Sequence, residues 1–216
     1  MADPYFKLDN GSVIFSGTSL KIDNVAEKTL NGGVTVDELL IKDGKLPNLL
    51  TAGLLDKTRL AYLTPGGAII PSSSGADQKQ VDGTYKSYFV LGFDKDTDES
   101  AYWHFEVPES YDGGNVVFRI KCKSSATTGN VVFVITTGDV ADGATFDTAL
   151  STTITFDAKA VDATAGDLFV ATKTADPGWT VGNVATIKLT RDADNANDTA
   201  AADIDVLEVV IALEVT

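Results

Sequence analysis

Residues 115–123 have the sequence NVVFRIKCK, in which apolar and polar side chains alternate. The apolar side chains fall on every second position: Val116, Phe118, Ile120 and Cys122. Arg119 and Lys121 between them are charged. Because successive side chains of a β-strand point to opposite faces, this pattern predicts a strand with one face in a core and the other in solvent.

The same alternation recurs in seven other segments, separated by Gly, Asp, Asn and Pro. They span residues 85–93, 102–107, 131–135, 152–156, 168–170, 187–189 and 207–215. The chain is therefore predicted to be all-β, with an eight-stranded jelly-roll-like β-sandwich head domain over residues 84–216. The last segment is long and strongly apolar, so we expect it at the centre of a sheet.

Residues 31–47, NGGVTVDELLIKDGKLP, allow two interpretations. Thr35 and Glu38 have the spacing of a helical capping box. However, residues 11–25 and 32–46 align with a period of 21 residues, and each copy indicates a strand, a tight turn and a strand. The apolar run LLI is also too short for an independent helix, so the repeat favours strands over a helical turn.

Residues 1–50 are thus predicted to form an extended shaft or attachment segment of short strands and turns. Such strands cannot bury an apolar face alone, so we expect their apolar side chains to pack between chains of a homo-oligomer. The candidate contacts are Phe15, Leu20, Val36, Leu40 and Ile41.

Residues 51–83 are predicted to connect this segment to the head domain. The spacing of Leu54, Leu55, Leu60 and Leu63 indicates one short helix or turn. The run PGGAIIPSSSGADQ that follows indicates a loop.

The chain carries 17 basic and 31 acidic residues, a net charge of −14. Nucleic-acid binding is not expected, because phosphate contacts need a basic surface. The start, MADPYFKLDNG, lacks the basic and apolar regions of a signal peptide, which predicts synthesis in a cytoplasm without export by that route. No apolar run is long enough for a membrane-spanning helix, so membrane insertion is not expected either.

The chemistry-bearing residues are few, with one histidine, His104, and one cysteine, Cys122. A thiol–histidine pair is disfavoured because Cys122 belongs to the predicted core face, and a three-histidine metal site is excluded. No phosphate-binding loop, nucleophile elbow or HExxH motif occurs. We therefore expect a non-enzymatic protein.

Two acidic clusters are candidate Ca²⁺ sites, since Ca²⁺ prefers oxygen ligands. The first cluster is Asp94, Asp96, Asp98 and Glu99. The second is Asp192, Asp194, Asn195, Asn197 and Asp198. Neither has a full EF-hand pattern, and Asp and Asn are also ordinary turn residues, so solvated turns are the alternative.

Three aromatic residues are candidates for stacking on sugar rings: Tyr102, Tyr111 and Trp179. Trp179 lies in the loop DPGWTVGN, and the alternative is that it folds back onto the sandwich edge. Trp103 alternates with Phe105 and Val107, which predicts a core position.

Three segments resemble proteins of tailed bacteriophages. Residues 33–47, GVTVDELLIKDGKLP, resemble a motif repeated in fibre and minor structural proteins. Residues 100–135 resemble a phage-associated β domain, with matches at Phe105, Val107, Pro108, Asp112 and Gly113. Residues 191–211 resemble the last hairpin of that domain, with matches at Arg191, Asp192, Asn197 and Asp198.

The resemblance implies a non-enzymatic virion structural protein: a phage fibre, spike, or capsid or tail decoration protein. It implies a homotrimer located on the virion among other virion proteins, with host surface glycan as a candidate ligand. A jelly-roll carbohydrate-binding module is the alternative function, and a glycan-degrading enzyme is the third, because fold alone does not separate them. No cofactor is expected apart from the candidate Ca²⁺.

Overall fold

The computed structural model of the protein describes residues 6–9, 12–15, 34–36, 39–41 and 59–213. The chain divides into two compact units, Met1–Asp56 and Lys57–Thr216. Within the described residues both units are built of antiparallel β-strands, and there is no α-helix. Accordingly, no helix in this part of the chain could cross a membrane.

The first unit contains two antiparallel hairpins. The paired strands are β1 (Phe6–Asp9) with β2 (Ser12–Phe15), and β3 (Val34–Val36) with β4 (Leu39–Ile41). Thr35 lies in β3 opposite Leu40, so the residue that could have capped a helix belongs to a strand. The strand interpretation of this copy of the repeat is therefore confirmed.

Four of the five predicted oligomer contacts lie in these hairpins, namely Phe15, Val36, Leu40 and Ile41. Leu20 lies outside the described residues. In the first copy of the repeat, β2 pairs with the preceding strand β1, a pairing that the repeat alignment did not include. Packing of these residues between chains stays a prediction.

The second unit contains twelve strands among its described residues. They are β5 (Arg59–Leu63), β6 (Asp77–Asp82), β7 (Ser87–Phe93), β8 (Glu99–Glu106), β9 (Val116–Ser124), β10 (Asn130–Val131), β11 (Phe133–Val140), β12 (Thr152–Thr155), β13 (Lys159–Ala160), β14 (Phe169–Ala175), β15 (Val184–Arg191) and β16 (Ile204–Leu213). A 3₁₀ turn at Pro65–Gly67 follows β5.

Ten of these strands form two sheets. One sheet has the order β14-β9-β16-β7-β6, with β5 also paired to β16. The other has the order β12-β11-β15-β8, and β10 and β13 form a small separate pair. The last strand is paired on both sides, with β9 along one edge and with β7 and β5 along the other, which confirms its expected central position.

The eight strands predicted from alternation are β7, β8, β9, β11, β12, β14, β15 and β16. Numbered one to eight along the chain, they take the order 6-3-8-1 in one sheet and 5-4-7-2 in the other. This is the strand order of a jelly roll, so the predicted fold class is confirmed.

The core lies between the two sheets as one cluster of buried apolar side chains. Phe93 from one sheet and Phe133 from the other pack edge to face, with ring centroids 6.2 Å apart. Burying one such side chain contributes about 1.5–3 kcal/mol. Cys122 and Trp103 are both buried in this cluster, as predicted, and burial raises the pKa of the Cys122 thiol well above its usual value.

The predicted connector, residues 51–83, contributes two strands to the larger sheet. Arg59–Leu63 forms β5 instead of a helical turn, so the helix prediction is wrong there; Leu54 and Leu55 lie outside the described residues. Pairing with the apolar strand β16 outweighs the weak helical spacing. Asp77–Asp82 forms β6, a polar strand at the sheet edge beside β7.

Two leucines assigned to the core by alternation lie on the other side of the sheet. Phe169 and Ala171 are the buried residues of β14, and Leu168 is 56% exposed. In β16 the register shifts between Val206 and Glu208, which leaves Leu207 only partly buried. A one-residue change of register moves a side chain to the opposite face, so both leucines belong to the outer surface.

Candidate functional site

The outer face of the four-stranded sheet carries an open cleft of about 290 Å³. Tyr102 and His104 on β8, and Thr186 on the neighbouring β15, line it. Alternation directs these side chains outward, because Trp103 between the first two is buried in the core. The predicted core position of Trp103 in the alternating segment 102–107 implies this outward orientation for Tyr102 and His104.

The loop between β11 and β12 forms one side of the cleft. Phe146 in this loop is 55% exposed, and its ring packs edge to face on His104 with centroids 5.2 Å apart. Three further residues of the loop also line the cleft: Asp147, Thr148 and Leu150. The loop is closed by the Thr148 N–H, which donates to the Phe146 carbonyl at 3.0 Å. An exposed aromatic ring is thus held against the sheet.

Polar groups accompany the aromatic rings of the cleft. His104 Nδ1 lies 2.9 Å from Thr186 Oγ1. Lys188 Nζ lies 5.8 Å from the centre of the Tyr102 ring, within cation–π range. With the exposed carboxylate of Asp147, the cleft offers both flat apolar surface and hydrogen-bonding groups.

Of the three predicted glycan-stacking residues, Tyr102 alone lines this cleft. Tyr111 is 2% exposed and Trp179 is 6% exposed, so their prediction as exposed platforms is wrong. Both pack into the hydrophobic core cluster, where large aromatic rings gain most from burial.

The contacts of Trp179 explain its position. Its indole N–H donates to Thr137 Oγ1 at 2.9 Å, and the Thr137 hydroxyl donates to the Thr186 carbonyl at 2.7 Å. Its ring meets Phe105 and Phe118 edge to face, at 5.2 and 6.2 Å between centroids. The loop therefore folds back onto the sandwich, the alternative interpretation of the sequence.

The contacts of Tyr111 also give it a structural role. Its hydroxyl donates to the Gly114 carbonyl at 2.9 Å, within the same turn. Burial, with a smaller contribution from the Asp176 carboxylate, raises the pKa of Tyr111 to about 12. The residue closes the loop that follows β8.

The two predicted acidic clusters meet at one point on the surface. Carboxylate oxygens of Asp98, Asp192 and Asp194 lie within 4.8 Å of one another. Asp98 also accepts the Ala193 N–H, and Asp192 accepts the Asn195 side-chain N–H, each at 2.8 Å. A hydrogen bond with Asp192 and the charges of Asp98 and Asp192 raise the pKa of Asp194. Ca²⁺ is bound by six to eight oxygens, so three carboxylates would supply only part of its ligands.

Asp198 does not join this group, so its prediction as a metal ligand is wrong. Its two carboxylate oxygens accept from Arg191, Oδ1 from Nη2 at 2.8 Å and Oδ2 from Nε at 3.1 Å, and Oδ2 also accepts the Val132 N–H at 2.9 Å. Both side chains of the ion pair are buried. Arg191 also donates to the carbonyls of Phe93 and Ala202. The pair ties the loop after β15 to the core.

The remaining acidic and amide candidates make turn contacts. Asp94 Oδ1 accepts the Asp96 N–H at 2.7 Å, and Glu99 Oε2 accepts the Asp94 N–H at 2.8 Å. Asn197 donates its backbone N–H to the Asn195 side-chain oxygen at 3.0 Å. These are the ordinary roles of short polar side chains in turns.

Phe146 is the residue that the sequence patterns missed. It is alone in the polar loop 141–149, where no alternation marks a strand face. A single large aromatic residue between Gly, Ala, Thr and Asp was the available signal, because such a loop has no core of its own in which to bury it.

No protein-family model matches the sequence, and no curated protein is significantly similar to it. Among solved structures, the chain is similar to a family 35 carbohydrate-binding module from Clostridium thermocellum, at 17% identity and a TM-score of 0.44. That match covers 69% of this chain and 95% of the module. The CBM35 from Cellvibrio japonicus Abf62 matches at 11% identity and a TM-score of 0.44, over 70% of this chain and 91% of that one.

A phage protein is similar at the same level. The enzymatically active domain of Bacteriophage CBA120 tailspike protein 4 matches at 10% identity and a TM-score of 0.41. The match covers 69% of this chain and 20% of that one. The jelly-roll assignment itself rests on the strand order of this chain.

Proposed function

We propose that the β-sandwich is a carbohydrate-binding domain with a binding role and no catalytic one. The observation that supports this is the cleft on the four-stranded sheet, where Phe146 and Tyr102 present aromatic surface beside polar groups. A sugar ring has an apolar C–H face and a rim of hydroxyls, and it needs both kinds of partner.

The chemistry of the cleft suits a neutral glycan. Asp147 and the Thr186 hydroxyl can accept hydrogen bonds from sugar hydroxyls, while Phe146 and Tyr102 contact the C–H faces. Asp147 supplies a carboxylate to the lining, and Lys188 lies beside the Tyr102 ring without lining the cleft itself. The cleft is open along the sheet, so one or a few sugar residues of a longer chain fit it.

The test is isothermal titration calorimetry of the full chain with neutral cello-, xylo- and manno-oligosaccharides. Phe146→Ala is expected to weaken binding about tenfold, because loss of one stacking ring costs about 1.4 kcal/mol. Tyr85→Ala is the matched control, since Tyr85 is 96% exposed and does not line the cleft. Absence of binding to every sugar, or equal binding by Phe146→Ala, would contradict the proposal.

A second candidate function, the virion structural protein of fibre, spike or decoration type, is favoured by the two hairpins of the first unit. Each is a two-stranded sheet of three- or four-residue strands, and β2 and β3 lie at equivalent positions of the 21-residue sequence repeat. A hairpin of that size is marginally stable alone, so association of this unit into a homotrimer would supply the missing contacts. In that setting the cleft would contact host surface glycan.

This candidate is tested by the molar mass in solution, from light scattering on a size column, with and without a calcium chelator. A trimer that survives the chelator and becomes a monomer on deletion of residues 1–50 supports it. A stable monomer of the full chain leaves the carbohydrate-binding domain as the function.

A further inference from the structure

The outer face of the six-stranded sheet carries two adjoining cavities, of about 650 and 320 Å³, that share Lys123 and Gly166. We call them together the lysine groove, after the four lysines that line it: Lys79, Lys86, Lys95 and Lys123. Its acidic lining residues are Asp203 and Asp205. Four lysines thus face two aspartates in the lining, and Asp96, outside the lining, pairs with Lys95.

The cations of the groove are only partly neutralised. Asp205 lies between two of them, with its carboxylate oxygens 3.2 Å from Lys79 Nζ and 3.3 Å from Lys123 Nζ. Each ammonium has three donors. Lys79 uses one on Asp205, and Lys123 uses two, on Asp205 and Tyr88, so each keeps a donor for a ligand. Burial lowers the pKa of Lys123, but the Tyr88 hydrogen bond and the Asp205 charge outweigh it and raise the pKa overall. Lys123 is therefore charged at neutral pH.

Gly92, one residue before the end of β7, leaves room for this arrangement. Gly92 pairs with Asp205 across the sheet, and a Cβ at Gly92 would lie 2.8 Å from Lys79 Nζ. Lys79 on β6 therefore crosses β7 to reach Asp205. Glycine weakens a strand, and its usual reason there is a close approach, here by a lysine side chain.

The groove also has apolar surface. Leu168 and Leu207, the two leucines that alternation assigned to the core, line it beside Tyr88. Lys123 Nζ lies 5.3 Å from the centre of the Tyr88 ring. A ligand of this groove therefore carries negative charge and apolar faces together.

The groove extends across the sheet. Its lining residues come from β6, β7, β16 and β9 and from the segment before β14, which are successive neighbours in strand order. The Lys79 ammonium lies beside Asp205 on β16, so the groove runs from the segment before β14 to β7, three strand spacings of about 4.8 Å or about 14 Å in all. This length suits an extended chain of several units better than a single small anion.

We propose that the lysine groove binds a polyuronate, a polysaccharide with one carboxylate on each sugar. Its carboxylates would pair with Lys79 and Lys123, and its C–H faces would lie on Leu168 and Leu207. Its hydroxyls would donate to Asp203 and Asp205. A polyphosphate has no such donors, and those two carboxylates would repel its dense charge.

This site lies on the opposite sheet from the cleft of the proposed function, and either can fail without the other. The neutral oligosaccharides and Phe146→Ala test the cleft. The acidic ligands and the lysine variants below test the groove.

The experiment is calorimetric titration of the full chain with oligogalacturonate at low ionic strength. The same oligomer with methyl-esterified carboxylates is the matched ligand control, because it keeps the sugar shape and loses the charge. Binding of the acid form, at least tenfold tighter than the ester and weakened by salt, is the expected result. Equal binding of the two forms, or binding of dextran sulfate but not of oligogalacturonate, overturns the proposal.

The variants assign the binding to the groove. Lys79→Met and Lys123→Met are each expected to weaken oligogalacturonate binding several-fold, and the double variant at least tenfold. Lys159→Met on β13 makes the same charge change outside the groove and is expected to bind like the wild type. An equal loss in Lys159→Met, or no loss in a double variant that unfolds at the wild-type urea midpoint, contradicts the assignment.

Discussion

The segment 191–198, RDADNAND, contains the same residue type in two opposite situations. Asp198 is buried and bonded through both oxygens to Arg191. Asp194, four residues earlier, is exposed and lies beside two other carboxylates, Asp98 and Asp192. An aspartate stabilises the fold where its charge is paired and destabilises it where its charge is repelled, and residue type alone does not distinguish the two cases.

The largest effect is expected from separating the buried pair. Asp198→Asn leaves the Arg191 charge buried without a counter-ion, which costs about 3–5 kcal/mol of unfolding free energy. Urea unfolding followed by tryptophan fluorescence measures this loss. A loss below about 1 kcal/mol, the value of an exposed pair, would contradict the burial of the pair.

Replacing both partners sharpens the same comparison. Arg191→Met with Asp198→Leu removes the charges together, so the double variant is expected to lose less stability than Asp198→Asn alone. Some loss remains, because the Val132 N–H and the Phe93 and Ala202 carbonyls lose their partners. A double variant less stable than the single one shows that these hydrogen bonds outweigh the charge.

Replacing Asp194 is expected to raise the stability of the fold, the opposite of replacing Asp198, because Asp192 and Asp98 raise the pKa of Asp194. A raised carboxyl pKa means that the folded state binds the proton more tightly than the unfolded state. Stability from this group therefore falls as the pH rises from its unfolded pKa, near 3.8, through its folded pKa. Asp194→Asn removes this loss, and it is expected to be more stable than the wild type at pH 7.

Thermal unfolding between pH 3 and pH 7 measures the difference between the two proteins. The gain should shrink towards pH 3, where Asp194 is protonated. Asp142→Asn, an exposed aspartate in the loop after β11, is the matched control for the change of net charge. If Asp142→Asn gains as much stability as Asp194→Asn, the effect comes from the net charge of the protein and not from the acidic cluster.

The smallest effect is expected from salt. Sodium chloride at 0.5 M screens exposed charges, so the advantage of Asp194→Asn over the wild type should narrow. The buried pair is screened much less, and the deficit of Asp198→Asn should persist. Calcium chloride at equal ionic strength separates screening from ligation, since a larger gain of the wild type with Ca²⁺ would place the ion in the cluster.

Strand positions were predictable wherever one face of a strand is buried against the other sheet. In β9, Val116, Phe118, Ile120 and Cys122 are all fully buried, as alternation requires. The polar edge strand β6 was missed because Asp77–Asp82 carries no apolar face and is held mainly by backbone pairing with β7. Leu168 was assigned to the wrong face because apolar residues occupy both odd and even positions around it. The larger Phe169 takes the core position instead.

The candidate sites were less predictable than the strands. Tyr102 was identified from its position opposite Trp103, but Trp179 and Tyr111 proved to be core residues. Phe146 gave no pattern at all. Whether an aromatic residue in a loop is exposed depends on the surface beneath the loop, which neighbouring residues in the sequence do not reveal.

The amino-acid order alone specified an all-β jelly roll, the burial of Cys122 and Trp103, and the strand pairing around Thr35. These properties follow from local alternation and turn residues, which act over a few positions. The folded sandwich brings together residues that are far apart in the sequence. These are Asp98 with Asp194, His104 with Phe146, and Lys79 with Lys123 through Asp205. These pairs lie 42 to 96 positions apart in the sequence. The jelly roll places distant strands side by side, so strand order rather than local pattern determines which residues come into contact.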